Sequence, residues 1–259
     1  MTDDEARCPA EEDTLERRLD QIEQALLESV DHAQRRIWER MNRLLEISIG
    51  QTEALIWLQS TLGLRSPLPP TRGWAASPDV LAELVRQIDQ RGTKTVVEAG
   101  SGVSTVIMAA AMERHGGGHV YALEHLPEMA AETRAQLAAQ GLAASATIVE
   151  APLGQVTIAG QSWPWYQIPK GALPSRIDLV FVDGPPASTG PLARYPALPV
   201  LAGRLAPGAL VVMDDARREE EREVAKRWLA ENPDMTSRDL RTEKGTTILV
   251  AAGPPGVRS

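Results

Sequence analysis

From Leu15 to Leu62 apolar residues recur at steps of three and four: Leu15, Leu19, Ile22, Leu26, Val30, Ala33, Ile37, Met41, Leu44, Ile47, then Leu55, Leu58 and Leu62. Proline is absent from this stretch, and the positions between are rich in Glu, Gln and Arg. The spacing predicts one long α-helix over residues 14–63 with an apolar stripe along one side. A helix of that length exceeds what one small domain can bury. The expected cover is a second copy, in a homodimeric coiled coil, and the alternative is a fold back onto its own domain. The repeat is imperfect, because Ser29 and Gln51 fall on the stripe and the step from Ala33 to Ile37 breaks the alternation. Trp38 and Trp57 fit a seam or an exposed position equally. Residues 1–13 read as a disordered acidic tail, and the proline-rich run within residues 64–76 reads as a stiff, extended linker.

Beyond the linker the pattern changes. Ser77-Pro78-Asp79 opens a helix, with Ser77 as N-cap and Pro78 in the first turn, and Val80, Leu81, Leu84, Val85 and Ile88 on one face. Short apolar runs suited to strands follow at 94–99, 119–123, 146–149, 177–182, 209–213, 236–241 and 246–251. Helical patterns fit 103–114, 127–139, 195–204 and 217–231. This alternation predicts an α/β domain over 77–259, with a mostly parallel sheet joined by right-handed crossovers. The last two strands are joined only by Thr242-Glu-Lys-Gly245, too short for a crossover helix, so they form an antiparallel hairpin. The expected fold is a Rossmann-like, mostly parallel seven-stranded sheet closed by a C-terminal antiparallel hairpin and preceded by the long N-terminal helix. No internal repeat is present.

Composition narrows the partners. At 259 residues, 43% hydrophobic and 24% charged, the chain holds one sizeable α/β domain plus the helix. Cys8 is the single cysteine, so no disulfide framework or cysteine metal cluster is expected, and a reducing cytoplasm fits. His32, His115, His119 and His125 show no ligand spacing. No apolar run approaches the roughly 20 residues that span a bilayer, and the acidic start lacks the pattern of a signal peptide. Residues 1–62 hold 14 Asp/Glu and 7 Arg, so this arm carries nearly all of the net charge of −8. A near-neutral body with an acidic arm is a poor partner for phosphate backbones or anionic lipid, so neither nucleic acid nor membrane is expected.

The candidate chemistry begins at Val96-Val97-Glu98-Ala99-Gly100-Ser101-Gly102-Val103-Ser104-Thr105, a glycine-rich turn between a strand and a helix. Gly100 and Gly102 let the backbone turn tightly and lie against a ligand. A dinucleotide fingerprint places a third glycine where this chain has Thr105. An acid before the turn, Glu98, suits a cationic ligand better than a pyrophosphate. The next apolar strand ends at Glu124, whose carboxylate can accept hydrogen bonds from both hydroxyls of a ribose. The plainer reading of Glu124 is a helix cap, since Pro127 starts a helix just after it.

Together these residues resemble the class I S-adenosylmethionine (SAM) dependent methyltransferases over roughly residues 74–252. The matching marks are Glu98-Ala-Gly-Ser-Gly102, Glu124, Glu150-Ala151-Pro152, Ile177-Asp-Leu-Val-Phe-Val-Asp183, Leu205-Ala-Pro-Gly-Ala-Leu-Val-Val-Met213 and the closing hairpin. The resemblance implies that Glu98 faces the amino-acid end of SAM, over Gly100, Ser101 and Gly102, and that Ser104 approaches its carboxylate. It implies Glu124 at the ribose, His125 and Ala151 near the adenine, and Asp183 beside the cofactor.

A narrower set, Ser77-Pro-Asp79, Asp183 and Asp214-Asp215, resembles the cation-dependent small-molecule O-methyltransferases, of the catechol and caffeoyl-CoA types. It implies Asp183, Asp214 and Asp215 as oxygen ligands of Mg²⁺ beside the acceptor hydroxyl, with Asp183 and Asp214 as the catalytic pair. The chain departs from that pattern at Gly184-Pro185-Pro186, where those families carry a lysine or a further aspartate. The alternative is that these acids cap helices around a metal-free site. Asp-Gly-Pro-Pro also resembles, with an inserted glycine and no aromatic, the Asp-Pro-Pro-aromatic loop of amino-methylating nucleic-acid enzymes. The aromatic segment Ser162-Trp163-Pro164-Trp165-Tyr166 reads as a loop that lines the acceptor pocket or covers the sheet edge, and Trp74 poses the same choice. Arg217-Arg-Glu-Glu-Glu-Arg222 reads as a solvated helix face.

The expectation is O-methylation of a small hydroxylated acceptor, a sugar or secondary metabolite, by a cytoplasmic homodimer. The alternatives are a catalytically inactive coiled-coil scaffold and an NAD-dependent oxidoreductase, the latter opposed by Thr105 and the hairpin.

Overall fold

The computed structural model describes residues 9–71 and 73–252, with side chains from Arg17 onward. The expected acidic tail lies outside the described residues up to position 8. Its last residues are helical, since α1 runs Pro9–Leu62. The chain divides into two units, residues 1–50 and 51–259. In the first unit Leu19, Ile22, Leu26, Val30, Ile37, Met41 and Leu44 are 50–61% exposed. Trp38 is exposed with them. No helix among the described residues is long and apolar enough to cross a membrane.

The last three turns of α1 behave differently. Leu58 is fully buried, and Ala54, Trp57 and Leu62 pack against the same core. Gln51, expected on the coiled-coil stripe, accepts a hydrogen bond from the Asp79 backbone N–H at 3.2 Å, and Trp57 lies 5.0 Å beneath the Arg86 guanidinium. The helix is one element by pattern but two by packing. The stretch expected to be a stiff, extended linker is tied down by a side chain. Gln140 accepts from the Arg65 and Ser66 N–H groups at 2.8 and 3.3 Å and donates to the Ser66 carbonyl at 2.8 Å. One side chain thus supplies partners for a strand-like segment with no ladder of its own.

The second unit alternates strands and helices as the pattern predicts: α2 (Pro78–Arg91), β1 (Thr95–Ala99), α3 (Val103–Arg114), β2 (His119–Glu124), α4 (Pro127–Gln140) and β3 (Ala146–Glu150). After the hairpin β4 (Leu153–Ile158) and β5 (Gln161–Tyr166) come β6 (Ile177–Val182), α5 (Ala197–Leu201), β7 (Leu205–Met213), α6 (Glu219–Glu231), β8 (Thr236–Leu240) and β9 (Thr246–Val250). The main sheet has seven strands in the order β3-β2-β1-β6-β7-β9-β8. Its first five strands are parallel, and β9 runs antiparallel to both β7 and β8. Neighbouring strand residues alternate between two cores. Val96, Val120, Leu179 and Val212 face α2 and α3, whereas Val97, Leu123, Val180 and Val211 face Trp165, Tyr195 and Trp228. The strand order reverses between β1 and β6, and the carboxyl ends of those strands flank the crevice where α/β sheets hold ligands.

The hairpin β4–β5 corrects the reading of residues 162–166 as a loop. It forms a separate two-stranded sheet turned by Ala159 and Gly160, both at positive φ (51° and 78°), as a two-residue type I′ connection requires. Ala-Gly is a weak turn signal, and Pro164 within β5 reads as a strand breaker. A strand with a free edge tolerates it. Trp165 and Tyr166 are buried in the core, and Trp163 rests on the Tyr195 ring with centroids 4.6 Å apart. These aromatics cover the sheet. Replacing Leu58 by alanine is expected to lower the urea unfolding free energy by about 2–5 kcal/mol, as for other buried leucines. A loss below about 1 kcal/mol, within the range of surface substitutions, would show that the end of α1 is not core.

Candidate functional site

The crevice begins at the tip of β1. Gly100 takes φ 110°, a conformation that disfavours any side chain, and its N–H donates to the Leu123 carbonyl at 3.0 Å. Across the crevice, Gly184 follows the tip of β6. A Cβ there would stand 2.5 Å from the Tyr166 hydroxyl and 3.1 Å from the Ala99 carbonyl oxygen. The glycine that seemed inserted in Asp183-Gly-Pro-Pro186 is therefore what lets the tips of β1 and β6 close on Tyr166.

Glu98 is buried behind the glycine turn. The Ser104 hydroxyl donates to one carboxylate oxygen and the Thr105 hydroxyl to the other, the latter at 2.5 Å, while Thr105 Oγ1 accepts the Gly102 N–H at 3.0 Å. Thr105 thus closes the turn from the place where a dinucleotide fingerprint needs glycine. Burial raises the Glu98 carboxyl to about 7, against the lowering effect of the two hydroxyls. The Ser104 hydroxyl, expected near a cofactor carboxylate, is committed to Glu98.

Glu124 is also buried. Its Oε1 accepts the His125 and Leu126 N–H groups, just before α4, at 2.8 and 3.0 Å, and its Oε2 accepts the Ser101 hydroxyl at 2.8 Å. His125 Nδ1 lies 3.1 Å from Oε1, and its ring meets Tyr166 edge-on at 6.1 Å. The Ala151 N–H donates to the Glu124 carbonyl at 2.7 Å, which pins the loop after β3 to the tip of β2. Every residue expected at a cofactor is therefore at this sheet edge, although the Ala151 side chain is fully buried.

The third group sits at the tips of β6 and β7. Asp183, Asp214 and Asp215 lie there, but a residue that no sequence pattern singled out lies among them. Arg194, 4% exposed, precedes α5. Its Nη1 donates to the Asp214 carbonyl at 2.9 Å, and its Nη2 donates to the Asp183 carbonyl at 2.9 Å and to Asp215 Oδ2 at 2.8 Å. The same Nη2 is 3.4 Å from Asp183 Oδ1, and Nε is 3.8 Å from Glu221 Oε1. Arg218 Nη1 takes Asp215 Oδ2 at 3.0 Å and lies 3.5 Å from Glu221 Oε1. Glu221 thus leaves the expected solvated face for the buried network, while Arg218 stays half exposed and reaches in to it. Burial, followed by the neighbouring Asp214 charge, pushes Asp183 well above the usual carboxylate range. Burial likewise raises Asp214 to about 6. Both Asp214 carboxylate oxygens are buried without a hydrogen-bond partner among the described residues.

This arrangement corrects the Mg²⁺ assignment. Among the described residues no group of three or more His, Cys, Asp or Glu side chains is placed to hold a metal ion. Asp183 and Asp215 each turn an oxygen to a guanidinium, and Asp214 is buried beside them without a hydrogen-bond partner among the described residues. Asp183, Asp214 and Asp215 do not fit a shared divalent cation. Arg194 escaped sequence reading because it stands in an aperiodic loop, and only folding brings it against acids 11 to 27 positions away.

Two cavities meet at Asp183. One, about 160 Å³, runs beside Ser101, Gly102 and Thr133, and the other, about 320 Å³, lies beside Ser188, Arg194 and Lys244. Trp74, 84% exposed, lines both. Lys244 is held there by donating to the Gly73 and Ala75 carbonyls at 3.1 and 2.8 Å.

A parallel sheet with a closing antiparallel strand pair, a glycine turn after β1 and an acid at the tip of β2 define the class I, Rossmann-like methyltransferase fold. Residues 97–216 match the family model described as a methyltransferase domain. No curated protein matches the chain in sequence. Solved structures match the fold. An O-methyltransferase from Bacillus cereus in complex with SAH aligns at 15% identity and TM-score 0.52, covering 78% of this chain and 90% of its own. A methyltransferase from Podospora anserina bound to SAH aligns at 16% and 0.52, covering 77% and 86%. An O-methyltransferase from Streptomyces achromogenes involved in tomaymycin synthesis, in complex with SAM, aligns at 18% and 0.51, covering 78% and 89%.

The raised Glu98 carboxyl has a signed consequence for stability. Its folded value of about 7 lies above the ordinary 4.5, so the folded chain keeps a proton that the unfolded chain releases. The contribution is present below the ordinary value and is lost as pH rises through the folded one. Urea unfolding of wild type minus Glu98→Gln is expected to fall between pH 5 and pH 8 by on the order of 3 kcal/mol. A difference independent of pH would refute the assignment.

Proposed function

We propose that the chain is a SAM-dependent methyltransferase acting on the hydroxyl of a small acceptor, such as a sugar or secondary metabolite. The observation that carries this reading is the position of Asp183, which borders both the cavity beside the glycine turn and the cavity beside Ser188 and Lys244. Donor and acceptor in those two cavities would meet at one carboxylate.

The crevice suits the donor. SAM supplies a methyl group on a sulfonium, which an oxygen nucleophile takes by in-line displacement, leaving a neutral thioether. Gly100, Ser101 and Gly102 would carry its amino-acid tail, with Glu98 behind them as the counter-charge to the ammonium and Ser104 beside the carboxylate. Glu124 would accept the ribose hydroxyls, and the Ser101 hydroxyl competes with them for Oε2. His125 and the Ala151 loop would border the adenine. A pyrophosphate would instead meet two buried acids, which disfavours a dinucleotide.

Asp183 would receive the acceptor's proton as the new O–C bond forms, and its raised proton affinity favours that role. Alignment of the two reactants contributes most of the rate. Asp214, buried and itself raised, supports Asp183 through its charge. No step is assigned to a divalent cation, because Arg194 is engaged with these acids. The single cysteine fits a cytoplasmic setting.

We also infer that two copies pair through the first unit. The seven apolar side chains from Leu19 to Leu44 recur at helical spacing and are at least half exposed, a stripe that a second identical helix covers along its length.

Glu124→Ala is expected to weaken SAH binding by roughly 1–3 kcal/mol in isothermal calorimetry, the cost of leaving polar groups unpaired. Unchanged affinity removes the ribose assignment, and no binding by wild type favours an inactive scaffold. Leu26→Asp with Leu44→Asp is expected to convert a dimer to a monomer in light scattering. A wild type already monomeric at tens of micromolar defeats the pairing.

A further inference from the structure

The resemblance to cation-dependent enzymes and the buried network disagree, and the disagreement is informative. Four carboxylates, those of Asp183, Asp214, Asp215 and Glu221, gather at the tips of β6 and β7 and the start of α6, and none is more than slightly exposed. A cluster of that charge needs cations. A divalent ion satisfies it through several oxygens at once, provided those oxygens are free to converge. Here the cationic group is already covalently attached to the chain.

We propose that Arg194 is a positioning residue whose guanidinium takes the place of the divalent cation at this sheet edge, so that the site holds Asp183 ready without metal. The inference rests on the methyltransferase reading of Asp183. Three features carry it. The guanidinium donates to the carbonyls that end β6 and β7, those of Asp183 and Asp214, and so ties the two strand tips together. It also binds Asp215 Oδ2 at 2.8 Å and reaches Asp183 Oδ1 at 3.4 Å, engaging two of the three carboxylates a metal would need. Arg218 takes the same Asp215 oxygen at 3.0 Å, so that oxygen already meets two guanidinium groups. A planar fork suits this task, because its donors diverge toward fixed backbone and side-chain oxygens together. It also keeps its charge in a buried site, where a lysine ammonium sheds a proton readily.

The closest alternative is that Arg194 serves the fold alone while the acids still bind a metal. Mn²⁺, followed by the electron paramagnetic resonance signal of the free ion, separates the two. It is titrated into full-length wild type, Arg194→Met and Arg194→Met/Asp183→Asn, with SAH calorimetry on the same wild-type sample. Wild type is expected to bind no Mn²⁺ below about millimolar concentrations, the weak end of protein sites for hard cations. Arg194→Met is expected to gain one Mn²⁺ per chain with at least tenfold tighter binding, and the double variant to lose it. One Mn²⁺ per wild-type chain, abolished by Asp183→Asn, overturns the proposal. A folded Arg194→Met that gains no Mn²⁺ overturns it as well. Should Arg194→Met not fold, Arg194→Gln, which keeps a donor for the Asp214 carbonyl, replaces it with the same two outcomes. Wild type that binds SAH and Mn²⁺ sinks this inference alone, whereas wild type that binds no SAH sinks the methyltransferase reading.

Discussion

A carboxylate taken out of water must be given a cation or hydrogen-bond donors, or it takes up a proton. The ligand edge of this sheet is organised around that constraint. Asp183, Asp214, Asp215 and Glu221 are gathered where β6 and β7 end, and the Arg194 guanidinium holds both strand carbonyls and two of the acids. Arg218 shares the task, and Asp214, which has neither, is driven toward its protonated form. The segment before α5 is thereby fixed to the tips of β6 and β7, the first of which flanks the crevice.

The same constraint is met differently at the tips of β1 and β2. Glu98 and Glu124 pair with no arginine or lysine among the described residues, and hydroxyls and backbone N–H groups serve instead: Ser104 and Thr105 for Glu98, and Ser101 with the His125 and Leu126 N–H groups before α4 for Glu124. One half of the crevice therefore holds acids that meet no arginine or lysine among the described residues, and the other carries its counter-charge built in. A donor with an ammonium and a sulfonium suits the first half, and a neutral hydroxylated acceptor suits the second. The two halves of the proposed reaction thus follow from how each pair of strand tips solved one burial problem.

Much of the fold was legible in residue order. The strands, their helices and the closing hairpin follow from apolar runs and short connections. The glycine turn and the acid after β2 follow from residue types at fixed offsets. The β4–β5 hairpin was hidden because an Ala-Gly turn and Pro164 in a strand both contradict local preference, and packing of Trp165 and Tyr166 overrides it. The linker read only as a stiff, extended spacer because nothing near it in sequence could pair its backbone, and its partner, Gln140, is 75 positions away. The metal assignment failed for the same reason: the acids are visible as a pattern, while the arginine that occupies them is not.

By itself the sequence determined what depends on neighbours along the chain: helix periodicity, strand alternation, the need for glycine at Gly100, and the presence of acids at the ends of three strands. Tertiary structure alone decided which turns of α1 are core, why residue 184 is glycine, and what neutralises each buried carboxylate. The physical reason is range. Backbone preference and amphipathic spacing act over a few residues, whereas burial and charge pairing depend on groups that meet only after the sheet has assembled.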